Sequence, residues 1–432
     1  MNRNVTRSRT FALLAGLSLL ALGAAVGAQT LTAPKYKFDP DWPKTLPNKW
    51  KMGGVTGLAV DKDDNVWVLD RPNDLRDMEL RGEIPGADCC ARPPAMIHID
   101  KEGNVIGSFD PPQGHGMAVD SKGFVYIGNA VHGLNTVRKY DPKTGKLLAE
   151  VPRATENQPG GGGGGDAADE GEGAARTPGK GGPGPVGTFP PPARPAGGAG
   201  GGGAGGGGGA NAEARAAAIA AFRAKYPPTT PMIVGQIEEV RLDEPAHELY
   251  CSDAYLGGRV MVFDLDTFAF KRGWGAYGHA LSEITTDDKD RAYTANGPEP
   301  KEFKGHLTLN ISNDGLVYAA DRSANRIIVT TKQGKFVKEI VLAPSTTQAG
   351  STGGVMFSPD KAQRFLYISD LTNNHVWFLN REDGKVLGTL GSMGQNGGQF
   401  FGLHMIAVDS KGDIYTGEVF NGERVQRFVP VK

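Results

Sequence analysis

The chain has 432 residues, 39% of them hydrophobic and 22% charged, with a formal net charge of −1. That is enough apolar side chain to bury a sizeable core, and it leaves no polybasic excess of the kind a nucleic-acid-binding surface needs. Glycine is the anomaly: 24 of the 63 glycines crowd between positions 160 and 209, and the other 39 are spread along the rest of the chain.

The N-terminus carries Arg3, Arg7 and Arg9, an apolar run over 11–22 and a small-residue stretch over 23–28, with Val26 and Ala28 placed for cleavage before Gln29. This pattern predicts a secretory signal peptide over 1–28 and an exported chain, periplasmic or extracellular, with no membrane association after cleavage. The competing reading, an uncleaved anchor, needs a longer apolar run. Three cysteines cannot supply a disulfide framework. The adjacent Cys89 and Cys90 read either as a vicinal bridge or as two loop thiols, and Cys251, within a strand pattern, reads as a buried thiol.

Six repeats follow. Each begins with an apolar strand, a tight polar turn and a second strand: residues 57–69 (GLAVDKDDNVWVL), 116–127 (GMAVDSKGFVYI), 307–319 (LTLNISNDGLVYA) and 405–416 (MIAVDSKGDIYT), with looser copies at 239–251 and 354–369. Alternation around Asp-x-x-Gly or Asp-x-x-Asn is a hairpin signal. A second hairpin around a Gly turn follows each, at 97–109, 137–148, 260–272, 327–340, 376–390 and, truncated, 425–431. Four strands in each of six units predict an all-β, six-bladed β-propeller. The short segment 35–38 is placed to complete the last blade.

Blades 1–2 are expected over 29–155 and blades 3–6 over 212–432. Between them, 156–211 is a Gly/Pro-rich low-complexity insertion with almost no apolar side chains to offset the entropy of ordering it, so disorder is expected. An Ala-rich helix over 210–225 should end at Pro227 and Pro228.

The first strand of each blade lines a propeller's axis. Five residues before the turn stand Thr56, His115, Glu238 by approximate alignment, His306 with one extra residue allowed, Gly353 and His404. Histidine thus occupies blades two, four and six, which stand about 120° apart around the axis. With 8 histidines in 432 residues, three at one register is not what chance placement gives. Three converging imidazoles suit a metal with one open position, zinc first. His98, His132, His247, His279 and His375 share no register and read as ordinary residues. Arg71 and Arg322 end equivalent strands in blades one and four, and Tyr255 lies just past Asp253 in blade three. A solvated or salt-bridged arginine is the plain reading. Beside a metal, the same groups can hold a carboxylate and take a proton. The recurring Asp70, Asp253, Asp321 and Asp370 read as turn-forming residues of the repeat.

These stretches, with 252–260 (SDAYLGGRV) and 325–327 (NRI), resemble NHL repeats, and their combination is similar to the peptidyl-α-hydroxyglycine α-amidating lyases, six-bladed zinc propellers. The resemblance implies a metal site at His115, His306 and His404, a catalytic Tyr255 supported by Arg71 and Arg322, a structural calcium ion, and cleavage of a C-terminal α-hydroxyglycine in a small-molecule or peptide substrate to an amide and glyoxylate. The sequence departs from the family in three places. Met405 stands where the lyases carry Asp, Gly402 where they carry Met, and Cys251 does not match their paired cysteines. Two other functions fit a propeller: a lactonase-like metal hydrolase, whose sites are rich in Asp, Glu and Asn around calcium, and a non-catalytic binding propeller.

Overall fold

The polar turns explain why the repeats become hairpins. Asp61 accepts hydrogen bonds from the backbone N–H groups of Asp63 and Asn65, Asp120 from Lys122 and Phe124, and Asp409 from Lys411 and Asp413. One carboxylate therefore pins both arms of each turn, the Asx arrangement that favours Asp at this place. Gly123 and Gly412 sit at φ +87 and +89, where a side chain would be strained.

The computed structural model describes residues 31–74, 79, 82–128, 135–156, 159, 208–284, 298–347, 349–419 and 422–431. The expected signal peptide, all but the edges of the Gly-rich insertion, and His132 lie outside the described residues. The chain divides into two units, 1–32 and 33–432. Only Leu31 and Thr32 of the first are described, and the second is the body considered below.

Six four-stranded antiparallel sheets form that body. Strand β1 (Tyr36–Asp39) belongs to the last of them. The first sheet is β2 (Gly54–Val60), β3 (Val66–Arg71), β4 (Met96–Ile99) and β5 (Val105–Phe109). The second is β6 (Met117–Val119), β7 (Val125–Gly128), β8 (Val137–Asp141) and β9 (Lys146–Glu150). After helix α1 (Gly208–Lys225) come β10 (Gln236–Asp243), β11 (Glu248–Ala254), β12 (Arg259–Asp264) and β13 (Phe270–Trp274). The fourth is β14 (Leu307–Ile311), β15 (Leu316–Asp321), β16 (Arg326–Thr331) and β17 (Phe336–Val341). The fifth is β18 (Val355–Phe357), β19 (Phe365–Asp370), β20 (His375–Asn380) and β21 (Val386–Leu390). The sixth is β22 (Leu403–Val408), β23 (Ile414–Glu418) and β24 (Val425–Pro430), completed by β1, whose Phe38 faces Phe428. The N-terminal strand thus closes the ring with the C-terminal blade.

The innermost strands touch in the cycle β2, β6, β10, β14, β18, β22 and back to β2, which makes a six-bladed β-propeller. Six apolar cores lie between consecutive blades rather than in one centre. Leu249, Cys251, Met261 and Phe263 face blade two, and Tyr250, Val260 and Val262 face blade four. Residues of alternating parity serve opposite faces, the two-residue period of a strand buried on both sides. This is why β11 reads as a nearly continuous buried run, and why isolated sheets of this kind must pack radially.

Helix α1 starts at Gly208, two residues before the expected start, and Phe222 and Arg223 bury its last turn. The segment after it is tied to blade three by Arg259, which is fully buried, pairs with Asp253 at 2.9 Å and donates to the carbonyls of Thr230 and Met232. Asp253 does more than hold a turn: with the backbone N–H groups of Val234 and Gly235 it locks the entry of the blade. Among the described residues, no helix is long and apolar enough to cross a membrane.

Candidate metal centre

The residues that open the innermost strands are aimed inward by irregularities in pairing. Strands β2 and β22 each carry a register shift, at Thr56 and at His404, and β10 carries one that encloses Glu238 and Glu239. A bulge of this kind turns a side chain out of the sheet's alternation. Strand β14 has no shift; its ladder runs unbroken from Leu307 to Ile311, and His306 stands just ahead of it with its carbonyl accepting from the Arg322 N–H at 3.1 Å. The missing bulge is the physical origin of the one-residue offset of this histidine in the repeat alignment.

His115, His306 and His404 meet on the axis. One ring nitrogen from each lies within 4.8 Å of the others, and this is the one group of three or more such ligand side chains close enough to hold an ion among the described residues. The ring centroids are 4.8, 5.2 and 5.4 Å apart, and the residues are 1%, 2% and 4% exposed. Two donors at about 2.0 to 2.1 Å from a tetrahedral zinc stand about 3.4 Å apart. His115 Nε2 and His404 Nε2 are separated by 3.4 Å.

A carboxylate lies beside two of them. Glu238 Oε2 lies 3.0 Å from His115 Nε2 and 3.3 Å from His306 Nε2. The same residue's backbone carbonyl accepts from His115 Nδ1 at 2.8 Å. A carbonyl can only accept, so Nδ1 carries a proton, and the neutral ring then presents the lone pair of Nε2 to the axis. That lone pair faces a carboxylate oxygen and a second imidazole nitrogen, so the arrangement calls for a cation, metal or proton, between them. Imidazole with one carboxylate is a donor set that zinc accepts. Glycines make the close approach feasible. Gly116 sits at φ +67, and a Cβ there would stand 2.6 Å from the Glu238 carbonyl oxygen and the Glu239 Cα.

The blades brace this cluster through their neighbours. Thr56 Oγ1 and Arg71 Nε both donate to the Gly114 carbonyl, at 2.7 and 3.4 Å, directly before His115. Ser369 Oγ donates to the His404 carbonyl at 2.8 Å. Behind Glu238, Arg241 holds Glu239 at 3.0 Å, although burial still pushes the Glu239 carboxyl above its usual range.

The other expected site residues have definite places. Arg71 closes β3 and is 7% exposed, with Nη1 3.8 Å from Asp74. Arg322 follows β15, is 1% exposed and sends Nε to the Ala349 carbonyl at 3.0 Å. Between the two arginines, the equivalent positions of blades five and six hold Leu371 and Val419, which cluster with Ala349. Tyr255, half-buried at φ +50, occupies the turn after β11 and packs against the core shared by blades three and four. Its turn is tied to the segment leading into His306 by the Phe303 N–H and the Gly258 carbonyl, 3.0 Å apart. Hydrogen bonds thus tie the Arg71 side chain to the residue before His115, the Arg322 backbone to His306 itself, and the turn of Tyr255 to Phe303 in the segment ahead of His306.

The other described histidines make contacts away from the axis. His98 stacks on Trp67 at 3.7 Å and contacts Asp61, His247 pairs with Asp266, His279 with Glu283, and His375 packs edge-on to Trp377, where burial lowers its pKa. Cys89 and Cys90 form a vicinal disulfide, which decides between the two readings of that pair, and Cys251 is a buried thiol.

No protein-family model matches the chain, and no curated protein does. Among solved structures it is similar to a structural genomics protein of unknown function from Bacteroides thetaiotaomicron, at 15% identity and a TM-score of 0.48 over 88% of this chain and 70% of that one. It is also similar to the hydrazine synthase of Kuenenia stuttgartiensis, at 12% identity and a TM-score of 0.42 over 86% and 76%.

Proposed function

We propose that the protein is an exported metal-dependent propeller enzyme that holds one zinc ion through His115, His306 and His404 and cleaves a 2-hydroxyglycine-like substrate, in the manner of the NHL-repeat peptidylamidoglycolate lyases. The observation that carries this reading is the convergence of three buried imidazoles from alternate blades, with His115 committed through Nδ1 to present a lone pair inward. Bound there, zinc supplies Lewis acidity and charge stabilisation at a substrate oxygen. Chain groups do the rest. Arg71 and Arg322, each oriented by an Nε hydrogen bond to a backbone carbonyl, hold the substrate carboxylate. Tyr255 takes the proton of the substrate hydroxyl. The C–N bond then breaks with its electron pair going to nitrogen, Tyr255 returns the proton there, and the carbinol carbon becomes the aldehyde of glyoxylate. The structural calcium that the resemblance implies takes no part in this scheme. The Cys89–Cys90 disulfide is a bond that oxidising compartments retain, which supports export.

The test is incubation of zinc-loaded protein with an α-hydroxyglycine-extended peptide. Release of glyoxylate and peptide amide supports the lyase. No release from a sample holding one zinc per chain would exclude this substrate class and favour a lactonase-like hydrolase or a binding propeller.

A further inference from the structure

We propose that Glu238 is a fourth protein ligand of the axial metal, so that the resting centre is three histidines and one glutamate rather than three histidines and an open position. This rests on the metal reading above and deepens it.

The geometry comes from two ends of one residue. Glu238 sits in the pairing irregularity of β10, which turns its carboxylate toward the axis. Its carbonyl takes the Nδ1 hydrogen of His115 at 2.8 Å, while its carboxylate oxygen reaches Nε2 of the same ring at 3.0 Å and Nε2 of His306 at 3.3 Å. The 3.3 Å from Oε2 to His306 and the 3.4 Å between His115 and His404 are close to the spacing of donors around a tetrahedral ion, and the 3.0 Å to His115 is somewhat shorter. Burial points the same way. The Glu238 side chain is 3% exposed and the histidines beside it 2% each, so this carboxyl group is held out of water and has to be satisfied by what lies on the axis. A divalent ion shared with the imidazoles would do so.

The glutamate changes what the site can do. Zinc sites with four protein ligands are closed, and a substrate oxygen then enters only by raising the coordination number or by displacing the carboxylate. Ligands that are themselves small carboxylates, such as α-hydroxy acids and glyoxylate, are the class suited to that exchange.

The experiment uses the full chain loaded with Co(II) in place of zinc, and compares the wild type with Glu238→Gln, Glu238→Ala and His306→Ala. The visible d–d spectrum of the wild type should stay constant between about pH 6 and 9, because no metal-bound water is present to ionise. Glu238→Ala should keep one cobalt per chain but acquire a spectral transition near about pH 7, that of a metal-bound water. Chelator competition with zinc should show affinity lowered by more than about 100-fold in both Glu238 variants, beyond the range of residues that only orient a ligand. His306→Ala should lose the metal. A wild-type spectrum that already titrates, with unchanged zinc affinity in Glu238→Gln, overturns the glutamate assignment while leaving the three-histidine site standing. Failure of the wild type to take up stoichiometric metal overturns both.

Discussion

His115 donates its Nδ1 hydrogen to the backbone carbonyl of Glu238, 2.8 Å away across the junction of the second and third blades. A bond of this kind fixes both the tautomer and the angle of the ring, so the inward direction of Nε2 is a property of how two blades pack. Gly116, next to His115, is what lets them pack so closely.

Gly116→Ala therefore tests the coupling of fold and site. Its Cβ would stand 2.6 Å from blade-three backbone at a φ of +67, so either the strand or the blade must move. We expect a loss of about 2 to 4 kcal/mol in urea unfolding, together with weaker metal binding. Normal stability and normal metal affinity would show that the junction does not set the site.

Tyr255→Phe separates proton transfer from binding. In the glyoxylate-release assay kcat should fall by about 10² to 10⁴-fold with KM little changed. Arg322→Ala should mainly raise KM, and because its Nε also holds the Ala349 carbonyl, thermal unfolding has to be measured beside it. Full activity in Tyr255→Phe contradicts the proton-transfer role.

Much of this was legible in the residues. The D-x-x-G turns marked the hairpins because one carboxylate has to satisfy two backbone donors, and the segment ahead of blade one marked the closing strand. The three histidines were visible because equivalent strand openings converge. Glu238 was within reach: it occupied the same register, but the third copy is degenerate and its bulge holds two glutamates, so counting could not say which one faces the axis. The offset at His306 and the anchoring of Arg71 on Gly114 depend on bulges and on contacts between blades, which leave no periodic trace. The Cys89–Cys90 bond likewise depends on loop conformation.

A pH effect arises at Glu423. Burial pushes its carboxyl up to about 8, the neighbouring Glu79 adds to the rise, and Lys51, 3.0 Å away, opposes it. Unfolded, the group has an ordinary value near about 4.3. Between those values the native chain keeps a proton that the unfolded chain has lost. The contribution is therefore fully present below about pH 4 and is lost as pH rises through about 8. Glu423→Gln should flatten the stability curve over this window and gain most at its alkaline end, as measured by urea unfolding at a series of pH values. A variant curve parallel to that of the wild type would contradict this.

The cysteines give a covalent check. Under denaturing, non-reducing conditions an alkylating reagent should label Cys251 alone, and after reduction all three cysteines. Labelling of all three without reductant would mean that the vicinal bond does not form in the isolated protein.

Metal content tests the central claim most directly. Elemental analysis of the purified, dialysed chain should find one zinc ion per chain after zinc loading, and His306→Ala, folded by circular dichroism, should retain almost none. A wild type without stoichiometric metal, or a His306→Ala protein that holds as much as the wild type, would contradict a metal centre on the propeller axis.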